Sequence, residues 1–406
     1  MLAVVFRGNA RPAGIALVLA LIATSAGGQE TGGSRSLAPD VEYRRISVDS
    51  RAGEVTVHMV LVDLDAVNEG RLCVEPAQGG DHMGVSASPE AIARRVGAVA
   101  AINGPYFGAA GGRTYPLGFA VLDGRIAQLG NLRRPMVGID PGGHFMIEVA
   151  HPQAFVTSDV YFEPIWLWGV NTAAGEDVVT LYDQRWGGSV SPQGGVVVSV
   201  GPIHDRDEGE VIVVGPGEPE DGAWDGEVAH VSKSGSLEVP EGGYALVFRG
   251  RSIPDAERYP VGSRFALYAY ELPDGWEAMR WIATLGPWFV HEGRVRDFSD
   301  ETGYGDSVTS RAGRSAIGIT WNDEIFFAVT RGPGLTVEEA ARVLIECNVR
   351  EAVMCDSGSS SGMWATGVGR IGNARAVPLA FVVRELGEPP GMPAPLRVWR
   401  DILHRH

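Results

Sequence analysis

Cysteine is nearly absent. The chain of 406 residues has three, Cys73, Cys347 and Cys355. No two of them form a C-x-x-C pair, which argues against a structural zinc site. An exported chain can join two of them, but the apolar context of each reads as three small buried hydrophobes. Lysine is scarce as well. Arginine supplies most of the positive charge, and the formal net charge is −16. A partner held through its phosphate backbone needs a basic patch, and no Lys/Arg run is present, so no nucleic-acid partner is expected. Long apolar runs are missing too. The stretch 14–23, "GIALVLALIA", falls short of the ~20 residues that span a bilayer, and no later segment is longer. There is no Walker loop and no tight metal-ligand spacing. His58, His82, His144, His151, His204, His230 and His291 are scattered, so neither a His-rich metal centre nor a cofactor is expected. A metal held by carbonyl and carboxylate oxygens stays open.

Glycine, in contrast, is abundant, at 55 residues. That many turn-formers imply short strands and a β-rich fold. The composition, 45% hydrophobic and 21% charged, is that of a folded chain. At the N-terminus, Arg7 and Arg11 precede the apolar stretch 14–23, and "TSAGG" follows it. This reads as a signal peptide over residues 1–26, cut after Ala26, with an uncleaved anchor as the alternative. It places the protein in a secreted or periplasmic setting with no stable membrane span after cleavage. Residues 27–40 read as a flexible mature N-terminus, residues 41–390 as one large domain, and 391–406 as a C-terminal tail.

Within the domain, 54–64 alternates as a strand does, and 72–78 follows as another. The stretch 88–98 reads as a short helix, with Ser88 at the N-cap and Pro89 in the first turn. A hairpin turns at Asp123-Gly124. The middle of the chain stays β-rich, with 215–236 as a loop or insertion. Thr336 and Glu339 form a capping box at the start of the clearest helix, 336–348. That helix lies between two strands and predicts one crossover packed on a sheet. The whole pattern is α+β, with β-rich mixed sheets and few helices.

The stretch 353–364, "VMCDSGSSSGMW", contains G-x-S-x-G, the outline of a hydrolase nucleophile elbow. An elbow needs a strand, a sharp turn and then a helix. The strand is present, but "MWATGVGRIGNA" follows, and no helix begins there. Asp401, His404 and His406 crowd the extreme C-terminus, a poor position for triad partners. Ser360 therefore reads as a loop residue, and a serine esterase would need a histidine beside it. Asp356 follows an apolar strand, and a carboxylate at a strand end can protonate a leaving oxygen, attack, or stabilise an oxocarbenium-like centre. An Asx-turn with the Ser and Gly donors after it explains the same residues. Successive amides over 357–361 can form an anion-binding nest. Asn103 ends a buried strand, either as a turn cap or as a group that donates and accepts at a substrate. Arg314 and Arg331 are the foremost phosphate ligands among the arginines. Arg311 is a weaker choice, and Arg375 lies just before the last strand.

Six stretches in order resemble the phosphodiester glycosidase family, over nearly all of residues 55–385. "AVAAINGPYF" resembles A-x-x-A-I-N-G-G-F-F, and "GFAVLDGRI" resembles G-x-V-I-x-D-G. "GVNTAAGEDVVTLYDQRWG" is similar to N-x-x-R-x-x-x-x-L-V-L-Y without its Arg. "LGPWFVHEGRV" resembles G-G-P-x-L-V-x-x-G, and "RSAIGIT" resembles R-T-A-I-G-I. "GLTVEEAARVLIECNVREAVMCDSGSSS" resembles the ending that closes on D-G-G-G-S-S. Here the D-G-G-G-S reads Asp356-Ser357-Gly358-Ser359-Ser360. The family's D-G-R before the helix keeps only Arg331. The resemblance implies an exported hydrolase that cleaves a sugar linked through C1 to a phosphodiester, with a carbohydrate or glycan-phosphate as substrate. It implies Asp356 and Asn103 as catalytic, and Arg314, Arg331, Ser357, Gly358, Ser359 and Asn171 as substrate-binding. A non-catalytic exported carbohydrate- or envelope-binding protein on the same scaffold is the other reading.

Overall fold

A computed structural model describes residues 31–110, 112–140, 142–161, 163–202, 224–373 and 375–387, with the pairs 4–5, 213–214 and 398–399. Most of the leader at 1–26 and most of the tail at 391–406 lie outside the described residues. Of the segment 27–40, Thr31–Ala38 forms a strand paired with Val41–Ser50. That corrects the flexible reading for these residues, because the backbone there joins a sheet edge. The chain is α+β and β-rich, as its glycine content and alternating stretches indicate.

The half that carries the site is a helix–sheet–sheet–helix sandwich. The larger of its two sheets runs, in order, Thr31–Ala38, Val41–Ser50, Gly53–Asp63, Glu324–Arg331, Ser315–Thr320, Val349–Met354, Trp288–His291 and Arg294–Val295. The smaller sheet runs Gly369–Gly372, Gly362–Ala365, Ala100–Asn103, Leu379–Glu385 and Leu72–Gln78. Their facing sides share one core. Val60, Ile317, Phe327 and Val353 from the larger sheet meet Ile102, Met363, Phe381 and Val383 from the smaller. The outer face of the larger sheet is covered by helix Val337–Glu346, and that of the smaller by helix Pro89–Val96.

Both helices start where the sequence signals them. The Ser88 hydroxyl accepts from the Ala91 amide at 3.2 Å. Thr336 and Glu339 exchange reciprocal bonds at 3.2 and 3.0 Å, satisfying amides that the first turn leaves open. Strands Glu324–Arg331 and Val349–Met354 are both antiparallel to Ser315–Thr320. They therefore run parallel with one strand between them, and helix Val337–Glu346 is the crossover. Asp123 and Gly124 both have positive φ, 52° and 67°, which a two-residue hairpin turn requires.

The remaining strands build a second core between a six-stranded and a nine-stranded sheet, from residues such as Phe119, Met136, Leu246, Phe265 and Trp276. Within the stretch 215–236 the loop reading needs correction. Gly226–Ser232 is a strand paired with Val196–Pro202; the acidic, glycine-rich surroundings hide its alternation. All three cysteines are free and buried. No helix among the described residues is long and apolar enough to cross a membrane.

Phe381 is fully buried between the two sheets, its ring 5.4 Å from that of Trp281. Phe381→Ala is expected to lower unfolding stability by about 3–5 kcal/mol with an unchanged denaturant slope. A loss under about 1 kcal/mol in urea titration would show that the sheets do not share this core.

Candidate functional site

Strand Val349–Met354 runs out of the core through fully buried Cys355 and delivers Asp356 half-buried at its end. Three contacts fix the Asp356 backbone. Its amide donates to the Gly104 carbonyl at 3.0 Å. Its carbonyl accepts from Asn103 Nδ2 at 2.6 Å and from Ser315 Oγ at 3.0 Å. The other end of the Asn103 carboxamide, Oδ1, accepts from the Gly362 amide at 3.1 Å. Asn103 is fully buried. The structure thus brings Asn103 and Asp356 together, and it spends the Asn103 side chain on holding the chain rather than on facing a ligand.

The Asp356 carboxyl is the titratable group of this site. Burial pushes its pKa above the ordinary carboxylate range, while the Ser360 hydroxyl, the Arg375 charge and the Ser357 amide pull it back. Arg375 is exposed and donates from Nη1 to Ser359 Oγ at 3.3 Å and to Ser360 Oγ at 3.4 Å. Its guanidinium lies over the Phe107 ring, 4.8 Å from the centroid. Arg375 is therefore the arginine beside Asp356.

The turn after Asp356 is wired inward. The Gly358 amide donates to Gly313 O at 2.9 Å, and the Ser361 amide donates to Gly358 O at 3.2 Å. Ser357 Oγ donates to Cys355 O at 3.2 Å and Ser361 Oγ to Gly313 O at 2.9 Å. Gly358 has φ of +69°, a conformation that glycine adopts without strain. The amides of 357, 358 and 361 are thus committed within the protein, which corrects the expectation of an anion nest over 357–361. Ser359 alone of this turn is exposed.

Ser360 is buried in a three-residue 3₁₀ turn, not at the head of an α-helix. The rings of His58, His144, His151 and His291 bond Tyr43, Asp140, Asn131 and Glu351. None of these pairings reaches Ser360, so the loop reading of this serine holds over the elbow.

The other expected residues fall differently. Arg314 is buried: Nε donates to Leu335 O at 2.9 Å, Nη2 to Ser310 O, and Nη1 lies 3.6 Å from Met354 Sδ. It braces the floor behind Asp356. Arg331 is exposed at its strand end, opposite Thr56. Its charge helps burial and Arg45 push His58 down to about 4. Asn171 is fully buried, and its Nδ2 donates to Ala127 O at 2.9 Å and Asp183 Oδ1 at 2.7 Å. Its Oδ1 accepts from the Asp183 amide at 3.0 Å. That network leaves it no free donor for a ligand.

Sequence alone places Arg375 last among the arginines; it follows a glycine-rich hairpin, and only the fold shows where it points. Tyr106 went unnoticed. Tyr106 lies three positions after Asn103 in "INGPYF". Its hydroxyl is buried without a partner, in the fields of Asp356, Arg134 and Arg314. Arg134 stacks on both Tyr106 and Tyr304, 5.3 and 4.3 Å from the ring centroids. The Tyr304 hydroxyl donates to Glu301 at 2.6 Å. Among the described residues, no group of three or more His, Cys, Asp or Glu side chains is placed to hold a metal ion.

The motifs around this site resemble those of the phosphodiester glycosidase family. The model of that family, phosphodiester glycosidase, matches residues 221–384, under half of the chain, and includes Asp356, Arg375 and the turn between them. The match bears out the resemblance carried by the sequence motifs. Among solved structures, a hypothetical protein from Synechocystis is similar at 20% identity and a TM-score of 0.71, over 89% of this chain and 64% of its own. This chain thus spans under two thirds of that protein's length. A protein from Burkholderia pseudomallei described as exported aligns at 20% identity and a TM-score of 0.61, over 81% of this chain and 74% of its own. The catalytic domain of zebrafish N-acetylglucosamine-1-phosphodiester alpha-N-acetylglucosaminidase, auto-inhibited by its pro-peptide, aligns at 12% identity and a TM-score of 0.43, over 88% of each chain. These likenesses concern the fold alone, and the third is too low to bear on the site. No curated protein matches the chain.

Glu301 gives the site region a pH signature. Burial pushes its pKa from 4.5 up to about 7, against the Tyr304 hydroxyl, Arg296 and the Trp288 amide. The native pKa is raised, so the folded state keeps a proton that the unfolded chain releases. The stability this contributes is complete below about pH 4.5 and is lost as pH rises through about 7, at most about 3 kcal/mol. Thermal unfolding of the wild type should fall between pH 5 and pH 8 more steeply than that of Glu301→Gln. Parallel curves would refute this assignment.

Proposed function

We propose that the protein is a hydrolase cleaving a sugar linked through C1 to a phosphodiester, with the Asp356 carboxylate as its catalytic group. The observation that carries the reading is a half-buried carboxyl held at a strand end beside an exposed guanidinium. A phosphate leaves more readily than an alcohol, so a second carboxylic acid to protonate it is not required. Asp356 then attacks or stabilises the anomeric carbon as positive charge develops there. Arg375 clamps the phosphate oxygens and takes up the charge that develops on them. Asn103 and Ser315 act through Asp356 by fixing its backbone; they are positioning residues. Arg314 supports the floor, the Ser357 amide holds the Asp356 carboxyl, Ser359 holds Arg375, and Arg331, Gly358 and Asn171 face no substrate in this reading.

The inward wiring of the turn favours one second reading, a carbohydrate-binding protein without turnover, because no amide of 357, 358 or 361 is left to hold an oxyanion. The two readings separate on activity against sugar 1-phosphodiesters. We also propose export, with the leader cut after Ala26. Mass spectrometry of the mature protein should then find no Met1, and an intact Met1 in a soluble cytosolic fraction would refute it.

Asp356→Asn keeps the shape and removes the charge. It is expected to cut turnover of a sugar 1-phosphodiester by at least ~10²-fold. Arg375→Ala should cost ~10–100-fold, as loss of a charge-assisted bond does, and Ser360→Ala up to ~10-fold. In the wild type, kcat/KM should rise with pH through the raised Asp356 pKa and then level, since the ionised form works. A rate that falls over the same range would make Asp356 an acid. An inactive Ser360→Ala with fluorophosphonate labelling of Ser360 would replace the glycosidase reading by an esterase.

A further inference from the structure

A cleft of about 540 Å³ opens between the edge strand Leu72–Gln78 of the smaller site sheet and the rim of the six-stranded sheet. Neither Asp356 nor Arg375 lines it. Its floor is apolar, from Val67, Val74, Val96, Leu122, Ile139 and Trp281. Its walls carry four guanidinium groups, Arg95, Arg185, Arg280 and Arg384, against two carboxylates, Glu75 and Asp123. In a chain of net charge −16, that is a local excess of positive charge.

The cleft's polar groups divide into spent and unspent. Arg384 Nε donates to Glu75 at 2.8 Å. Arg185 Nη1 donates to Asp183 at 2.8 Å, and its Nη2 to Leu122 O at 3.3 Å and Asp123 at 3.5 Å. Arg95 donates to Gln78 O. Cys73 Sγ lies 3.2 Å from Glu75 and, with its pKa pushed up to about 12 by burial, remains a thiol. Two groups are left over. Arg280 Nε and Gln78 Nε2 are buried and have no hydrogen-bond partner in the protein. Both are donors, and both belong to residues of this cleft. A buried donor without a partner destabilises the fold. An acceptor-only ligand with negative charge in the cleft lies beside both residues and supplies the acceptors these donors lack once the two side chains turn toward it.

We propose that this cleft is a binding site for a small organic phosphate, with Arg280 and Gln78 as its principal donors. With Asp183 paired to Arg185, four guanidiniums still face three carboxylates, an excess that favours an anion, and guanidinium donors suit phosphate oxygens in bidentate geometry. The volume lies within the range that holds a small-molecule ligand, and the apolar floor takes the ligand's body. The site is separate from the one around Asp356, so the proposal goes beyond the hydrolase reading and stands without it.

Isothermal titration of the full-length protein at low salt tests it, with glucose 1-phosphate and inorganic phosphate as probes and glucose and glucuronate as controls. Both phosphates should bind, glucuronate more weakly, and glucose not at all. Arg280→Ala should weaken glucose 1-phosphate by about tenfold or more, in line with the loss of a charged donor. Arg280→Lys should restore part of that loss, and Gln78→Leu should show a smaller one, which guards against a folding defect in the first variant. Arg375→Ala should leave this affinity unchanged, and Arg280→Ala should leave turnover at Asp356 unchanged. If Arg375→Ala abolishes binding while Arg280→Ala does not, phosphate sits beside Asp356, and the cleft is not a phosphate site. Absence of phosphate binding, or tighter binding of glucuronate, overturns the proposal and leaves the hydrolase reading untouched.

Discussion

The Asn103 carboxamide occupies the one point where three chain segments must agree. It ends strand Ala100–Asn103, it donates to the Asp356 carbonyl, and it accepts from the Gly362 amide that opens the next strand. These groups are buried, where an unmatched backbone polar atom costs about 1–3 kcal/mol. One side chain with a donor and an acceptor at fixed separation satisfies both. The crossing from the larger sheet to the smaller is made between Asp356 and Gly362, and it closes only because this amide bridges it. The Ser315 hydroxyl on the same Asp356 carbonyl adds the strand next door. The carboxyl of Asp356 is thereby placed by its backbone, and the Ser360 hydroxyl and Ser357 amide then hold it.

From this follows the arrangement of charge around it. With the Asp356 backbone pinned, the turn 357–361 folds back so that the Gly358 amide donates to Gly313 O, the Ser361 amide to Gly358 O and the Ser357 amide to the Asp356 carboxyl. The outer side is then left to side chains: the Asp356 carboxyl, the Ser359 and Ser360 hydroxyls, and Arg375 above them. The inner side is braced by Arg314, whose guanidinium bonds carbonyls and faces no carboxylate. A buried arginine of this kind keeps its charge, and burial lowers its pKa only against a very high starting value. Of these two arginines, the structural one holds carbonyls and the solvent-open one acts on the carboxyl.

Much of this was legible in the sequence, and the rest fails for a physical reason. Ser88, Thr336 with Glu339, and Asp123-Gly124 act through neighbours a few positions away, so their roles can be read from spacing alone. The nearness of Asn103 and Asp356 was legible because each closes an apolar strand within a family motif. The choice among arginines was not. Arg314 opens a matched strand, but which way its side chain points depends on the packing of Leu335 and Met354 against it. Arg375 sits beside Asp356 because a hairpin folds it back, which no local pattern states. Asn171 shows the same limit: its partner Asp183 is close in sequence, yet its burial comes from the second core.

The two arginine-bearing places differ in what the protein leaves undone. Around Asp356 nearly every backbone donor of the turn has a partner, so the geometry is fixed before any ligand arrives, which is the condition for electrostatic preorganisation. In the cleft beside Leu72–Gln78, two buried donors stay unmatched. A fold of marginal stability carries such a cost only where something offsets it. The pinned carboxyl fits a place where a reaction is aimed, and the unmatched donors fit a place where an anion completes the structure. A chain with net charge −16 repels phosphates in bulk. Guanidinium groups gathered in the cleft offset that repulsion locally, more strongly there than Arg375 can in the open, since a lower dielectric strengthens each pairing.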